Sequence, residues 1–295
     1  MSIPGLRHHL HLHFIVILLG FTAVLGKLIS LDALNLVWIR TFFAALGLIV
    51  FLFWKKYSLK TSLHDALAFI GIGVVVAAHW VSFFHAIKVS NVSVTLGCFA
   101  SVALFTSILE PLFQKRKIQG LEVIIGLICI GGLYLIFRFE THYLTGMLYA
   151  LLSALLNAVF AVLNKAVSHK ARPSVISFYE MAGGFLSLSI FLALGYGGTA
   201  PSLPSGIADW AFILILAVIC TSYAFSAIVD LLKVLSAYYV MLAINLEPVY
   251  GIILAFLIFG QSEFMSTGFY FGTAIVMLCV FCYPFLHQKL SSGPK

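Results

Sequence analysis

Three ionisable side chains, Arg40, Glu180 and Glu247, stand inside long apolar runs of this 295-residue chain. An ionised group at the centre of a membrane-depth helix costs roughly 2.5–3.5 kcal/mol, so each needs a reason to be there. Glu247 shares a helical face with Ala243, Gly251 and Ala255, and Pro248 follows it as a candidate hinge. That pattern suits a carboxylate that binds substrate or carries a proton. It equally suits a packing glutamate, because small residues let helices approach closely. Arg40, with Ala44 and Gly47 on its face, stays charged and offers a planar fork to a ligand's carboxylate or to Glu247. The rival reading is a long stem snorkelling to the headgroups. Glu180 shares its face with Ser177, Gly183, Gly184 and Ser187, which reads as a cavity wall or as a hydrogen-bonding seam between helices.

Weaker polar marks surround these three. His79 and Trp80 offer a ring nitrogen and an aromatic wall, or a packed histidine and its neighbour; His85 lies nearer a helix end. Asn157 and Asn164 share a face with Ser153 and Ala161. Tyr223 shares one with Ser226, Asp230 and Lys233, and the last two are spaced to pair with each other. Lys27 and Lys165 read as snorkelling helix ends. His8, His9, His11 and His13 alternate in part with leucine, without acids or a partner cysteine, so no metal site is expected. The five cysteines lie in apolar runs and read as inert thiols. Asn91-Val92-Ser93 is a formal glycosylation sequon pressed against an apolar run. The sequence has no GxxxxGK[ST], HExxH or GxSxG motif, which argues against P-loop ATP hydrolysis and the common hydrolase sites. No cofactor is expected, and no nucleic-acid surface is patterned.

The elements that must position these residues follow from composition. Hydrophobic residues make up 62% and charged residues only 9%, far below the roughly 25% of a soluble domain. Ten apolar segments can be read, at about 12–30, 34–54, 65–87, 90–113, 119–137, 144–167, 174–196, 207–231, 235–259 and 264–286. The net charge of +7 gathers in alternate loops: Lys55, Lys56 and Lys60; Lys115, Arg116 and Lys117; Lys170 and Arg172; Lys233; and Lys289 and Lys295, with Arg7 before the first segment. The positive-inside rule then places both termini in the cytoplasm and the Gly197–Asp209 loop outside.

An internal repeat is present. Ala23-Val24-Leu25-Gly26-Lys27 matches Ala161-Val162-Leu163-Asn164-Lys165. Arg40 falls opposite Glu180, and Ser90, Val94, Leu96 and Phe113 fall opposite Ser236, Val240, Leu242 and Phe259. Five spans per copy is an odd number, so the second copy must insert upside down, a signature of secondary transporters.

With this repeat, the lysine ending the first helix of each half, Leu246-Glu247-Pro248 and the Ala86-Ile87-Lys88-Val89-Ser90 connection, the chain resembles the drug/metabolite transporter superfamily and its EamA-type permeases. One departure is that Ser101-Val102 stands where a proline would match Pro248. The resemblance implies export or exchange of small metabolites, commonly amino acids or drugs.

The expectation is therefore an all-α membrane protein with ten transmembrane helices arranged as two inverted five-helix repeats. Its parts are a cytoplasmic tail over 1–11, repeats over 12–137 and 144–286, and a cytoplasmic tail over 287–295. It would be a cell-membrane permease for a small-molecule substrate, with possible proton coupling and no signal for an oligomeric state. A membrane-embedded lipid-processing enzyme and a non-transporting channel or scaffold are the rivals; the repeat favours transport.

Overall fold

The architecture is that of a computed structural model, which describes residues 6–115, 120–195, 200–231, 234–235, 240, 243–244 and 246–291. It contains helices α1 (Leu6–Leu28), α2 (Ala33–Trp54), α3 (Leu63–Val89), α4 (Val92–Phe99), α5 (Val102–Gln114), α6 (Gly120–Phe139), α7 (Leu144–Val167) and α8 (Pro173–Ala193). It continues with α9 (Ile207–Leu214), a π-helical stretch over Ile215–Tyr223, α10 (Ala224–Leu231), α11 (Glu247–Phe259) and α12 (Thr267–Ser291). Among the described residues there is no strand. Among the described residues six helical segments are long and apolar enough to cross a membrane, and three shorter apolar ones accompany them. Large apolar side chains such as Phe53, Leu127, Ile190, Leu257 and Phe271 stand exposed on the outside, as a lipid-facing surface requires.

Polar residues between the apolar runs start the helices. Asp32 accepts from the backbone N–H of Leu34 and Asn35, Ser62 from that of Asp65, and Asn91 from that of Val94. Each satisfies donors that a helix N-terminus leaves open. Asn91 of the sequon is thereby a buried helix cap.

Several expectations need correction. Helix α1 begins at Leu6 and α12 runs to Ser291, so much of both expected tails is helical. The fourth span is broken: a turn at Ala100–Ser101 separates α4 from α5. The eighth widens into the π-helical stretch. Pro248 sits in the first turn of α11, just after a turn residue at Leu246. There its missing N–H costs little, because the donors of a first turn are unpaired anyway. Arg116, Lys117, Lys233, Lys295, Ser236 and Leu242, and the side chains of Ser226, Asp230 and Lys289, lie outside the described residues.

The two halves pack crosswise. Helix α1 lies on α11, while α7 lies on α4 and α5; α6 lies on α12, and α2 and α3 lie on α8. Glycines permit these approaches. A Cβ at Gly20 would fall 2.8 Å from the Gly251 nitrogen, and one at Gly132 would fall 2.9 Å from the Gly272 carbonyl oxygen. One at Gly73 would collide with the Glu180 carbonyl, and one at Gly183 with that of Ile70. The main core joins α1, α2, α3 and α4 to α8, α9 and the π-helical stretch, through residues such as Leu25, Leu36, Val76, Leu96, Leu188, Ile213 and Leu216.

Candidate functional site

Arg40 is the buried charge at the centre of this packing, 4% exposed. Its guanidinium lies 3.7 Å from the centroid of the Trp80 ring and 5.5 Å from that of Phe84. Its Nε and one terminal nitrogen donate to Thr221 Oγ1 at 3.2 and 3.1 Å. A cation over an aromatic face gains about 2 kcal/mol when desolvated. No carboxylate lies within ion-pair distance of Arg40 among the described residues.

The sequence alone places Arg40 and Trp80 among the candidates, and the fold brings these two together. Thr221 was not singled out. It lies in the π-helical stretch, where its hydroxyl also donates to the Leu216 carbonyl at 2.8 Å. The extra residue per turn turns this hydroxyl toward α2, and an unbroken apolar run gives no sign of such a bulge.

His79 adjoins Trp80 but is engaged elsewhere. Its Nδ1 lies 3.0 Å from the Ser153 carbonyl and 2.8 Å from the Ser153 hydroxyl, and its ring stacks on Phe99. Glu180 is fully buried, and neither carboxylate oxygen finds a hydrogen-bond partner among the described residues. A carboxylate so enclosed needs a proton or a cation to offset its desolvation. Asn157 and Asn164 lie half-buried on α7. Tyr223 shares a 2.8 Å hydrogen bond with His11 Nε2. His13 meets Tyr250 in the same way at 3.0 Å. Among the described residues no cluster of histidines, cysteines and acids is arranged to hold a metal.

Two cavities flank α2. One, of about 220 Å³, is wholly apolar and touches Trp38, Ile39, Phe43 and Trp210. The other, of about 370 Å³, lies toward the C-terminal half of α2 and touches His11, Gly47, Trp54, Lys55 and Tyr223. Arg40 lines neither space: on α2 the first takes Trp38, Ile39, Phe42 and Phe43, and the second Gly47, Phe51 and Trp54.

The lysines ending the first helix of each half do more than snorkel. Lys27 Nζ lies 2.7 Å from Glu263 Oε1. Lys165 pairs with Glu110. Each pair joins the first helix of one half to the end of the fourth span of the other.

Comparison with known proteins supports this reading of two halves. The sequence model of the EamA-like transporter family matches residues 10–138 and again residues 144–285. An uncharacterised transporter of Bacillus subtilis (strain 168), YxxF, is 23% identical over 247 residues, covering 81% of this chain and 78% of that protein. A solved crystal structure with 17% identity superposes with a TM-score of 0.65, covering 95% of this chain and 98% of the other. That last likeness shows the fold alone. Two successive matches of one family's sequence model, spanning nearly the whole of a chain rich in membrane-length helices, show that this multi-pass membrane protein belongs to the EamA-like transporter family.

Proposed function

We propose that this chain is a secondary transporter of small metabolites, such as amino acids or drug-like molecules, working by alternating access around a midplane cavity between its halves. In this reading ten spans form two inverted five-helix repeats in the cell membrane, with both termini cytoplasmic. The observation that carries it is Arg40. Its charge is held by an aromatic face from the first half and a hydroxyl from the second, and donors of its fork remain for a ligand's carboxylate. Glu247, a second ionisable group at membrane depth, suits an ammonium group, so a small zwitterion fits the two together. Phosphorylated sugars and nucleotides want more convergent cations than this site offers.

Flux into proteoliposomes tests the proposal. Amino acids and related zwitterions should exchange across the membrane, and Arg40→Lys should raise the half-saturating concentration about tenfold, a loss of ~1.4 kcal/mol. Tight, competitive binding of a nucleotide sugar without zwitterion exchange would overturn the substrate class. For orientation, a cysteine placed at Ser205 should react with an impermeant reagent in intact cells while one at Ser58 stays protected. The reverse pattern would invert the topology.

A further inference from the structure

The cations of two connections converge in one pocket. A cavity of about 420 Å³ is lined by Lys56, Tyr57, Ser58, Lys60, Lys170 and Arg172, together with Ala171 and Val175. The first group comes from the α2–α3 connection and the second from the α7–α8 connection, so the pocket bridges the two halves. Four cations here meet one carboxylate: Lys170 Nζ lies 2.6 Å from Asp65 Oδ1. Among the described residues, Lys56, Lys60 and Arg172 have no ion-pair partner.

We propose that this pocket is a binding site for a phosphate group, supplied either by an anionic phospholipid headgroup or by a soluble phosphate compound. The chemistry fits at several points. Arg172 lies over Tyr57, its guanidinium carbon 4.2 Å from the ring centroid. That leaves a planar fork matched to two phosphate oxygens. Lys56 and Lys60 add compact point charges, and Ser58 and Tyr57 add hydroxyls. The Asp65–Lys170 pair, with the hydrogen bond from Tyr179 Oη to the Leu59 carbonyl at 3.1 Å, ties the two connections together around the space.

The backbone fixes where these cations leave the helices: α2 closes with the Tyr57 N–H on the Leu52 carbonyl at 2.9 Å, a left-handed helix end. Lys56 adopts φ 54°, a left-handed conformation that side chains other than glycine rarely take. Its N–H donates to the Phe53 carbonyl at 3.0 Å. Helix α8 begins at Pro173 beside the pocket, and a helix start favours anions. Lys56, Lys60 and Arg172, which have no carboxylate partner among the described residues, repel one another, so a bound phosphate anion removes a penalty as well as making contacts. Because both halves contribute, occupancy would favour whichever conformation keeps these connections together.

The test uses purified full-length protein in maltoside micelles with phosphatidylcholine. Phosphatidylglycerol is titrated in one arm, more phosphatidylcholine in a second and inorganic pyrophosphate in a third. Thermal unfolding and native mass spectrometry are the readouts. A lipid-derived phosphate predicts stabilisation and bound adducts with phosphatidylglycerol alone. A soluble phosphate ligand predicts them with pyrophosphate too. In either case Lys60→Gln with Arg172→Gln should weaken binding at least about tenfold, the effect of losing one charged hydrogen bond. Arg138→Gln, which removes an exposed cation at the end of α6, should leave it unchanged. If neither ligand binds above the phosphatidylcholine level, the proposal fails. It fails equally if Arg138→Gln weakens binding as much as the pocket variants do, because the attraction would then be diffuse charge. Adduct counts by mass spectrometry do not depend on the stability of the variants.

Discussion

The Lys27–Glu263 and Lys165–Glu110 pairs tie repeat-related lysines to acids of the opposite half and are enclosed very differently. Side-chain exposure is 27% and 0% in the first pair, against 62% and 28% in the second. Glu263 also accepts from the backbone N–H of Val92 at 3.2 Å and of Ser93 at 2.8 Å, so it closes the N-terminus of α4 as well as holding Lys27. Lys27 in turn reaches Ser262 Oγ at 3.2 Å and lies 4.3 Å from the Phe259 ring centroid. Repeated sequence thus supplies the lysine of each pair, while the acid comes from a different place in each half: with Phe113 opposite Phe259, Glu110 falls opposite Phe256, and local burial sets each pair's strength. Exposed pairs give 0–1 kcal/mol, whereas breaking a buried one costs several kcal/mol because a charge is stranded.

Glu263→Ala should therefore have the largest effect on stability, a loss of about 3–5 kcal/mol, measured by denaturant unfolding in bicelles. A loss below about 1 kcal/mol would put the two pairs on the same footing. Lys27→Met should cost less, about 2 kcal/mol, since the α4 amides still serve the carboxylate it leaves behind. The carboxylates nearer the middle of the membrane should behave in the opposite way. Glu247→Gln keeps shape and hydrogen bonding but cannot titrate. It should fold normally and reduce proton-gradient-driven flux about tenfold, equivalent to ~1.4 kcal/mol. Wild-type, gradient-dependent flux in this variant would leave Glu247 a packing residue and move attention to Glu180. The smallest change is expected for Lys165→Met, within about 1 kcal/mol and fading in high salt. A salt-resistant loss of several kcal/mol there would erase the contrast between the pairs.

Much of this arrangement was legible in the sequence. Arg40, Glu180 and Glu247 stand out because charge is rare in apolar runs, and the repeat around Lys27 and Lys165 can be read directly. The partners are harder to see. Glu263 is 236 residues from Lys27 and lies in a short connection, where an acid looks like ordinary loop chemistry. Thr221 looks like any hydroxyl in an apolar helix until the π-helical stretch turns it to Arg40. The break at Ala100–Ser101 carries no proline, and α5 nevertheless starts at Val102, opposite Pro248 in the repeat. Packing sets that break, and local propensity does not announce it.

The contact of α3 with α8 has a mechanical consequence. At Gly73 and Gly183 main chain meets main chain with no side chain between, so the two halves touch there through their stiffest parts. Gly183 lies midway along α8, a helix of 21 residues and thus about 30 Å long at 1.5 Å per residue. In the transport cycle proposed above, such a contact would serve as a fulcrum with arms of equal length. A tilt of about 10° moves each end of the helix by roughly 2.5 Å in opposite directions while the middle stays still. Whatever gap the tilt widens at one membrane face, it narrows by the same amount at the other.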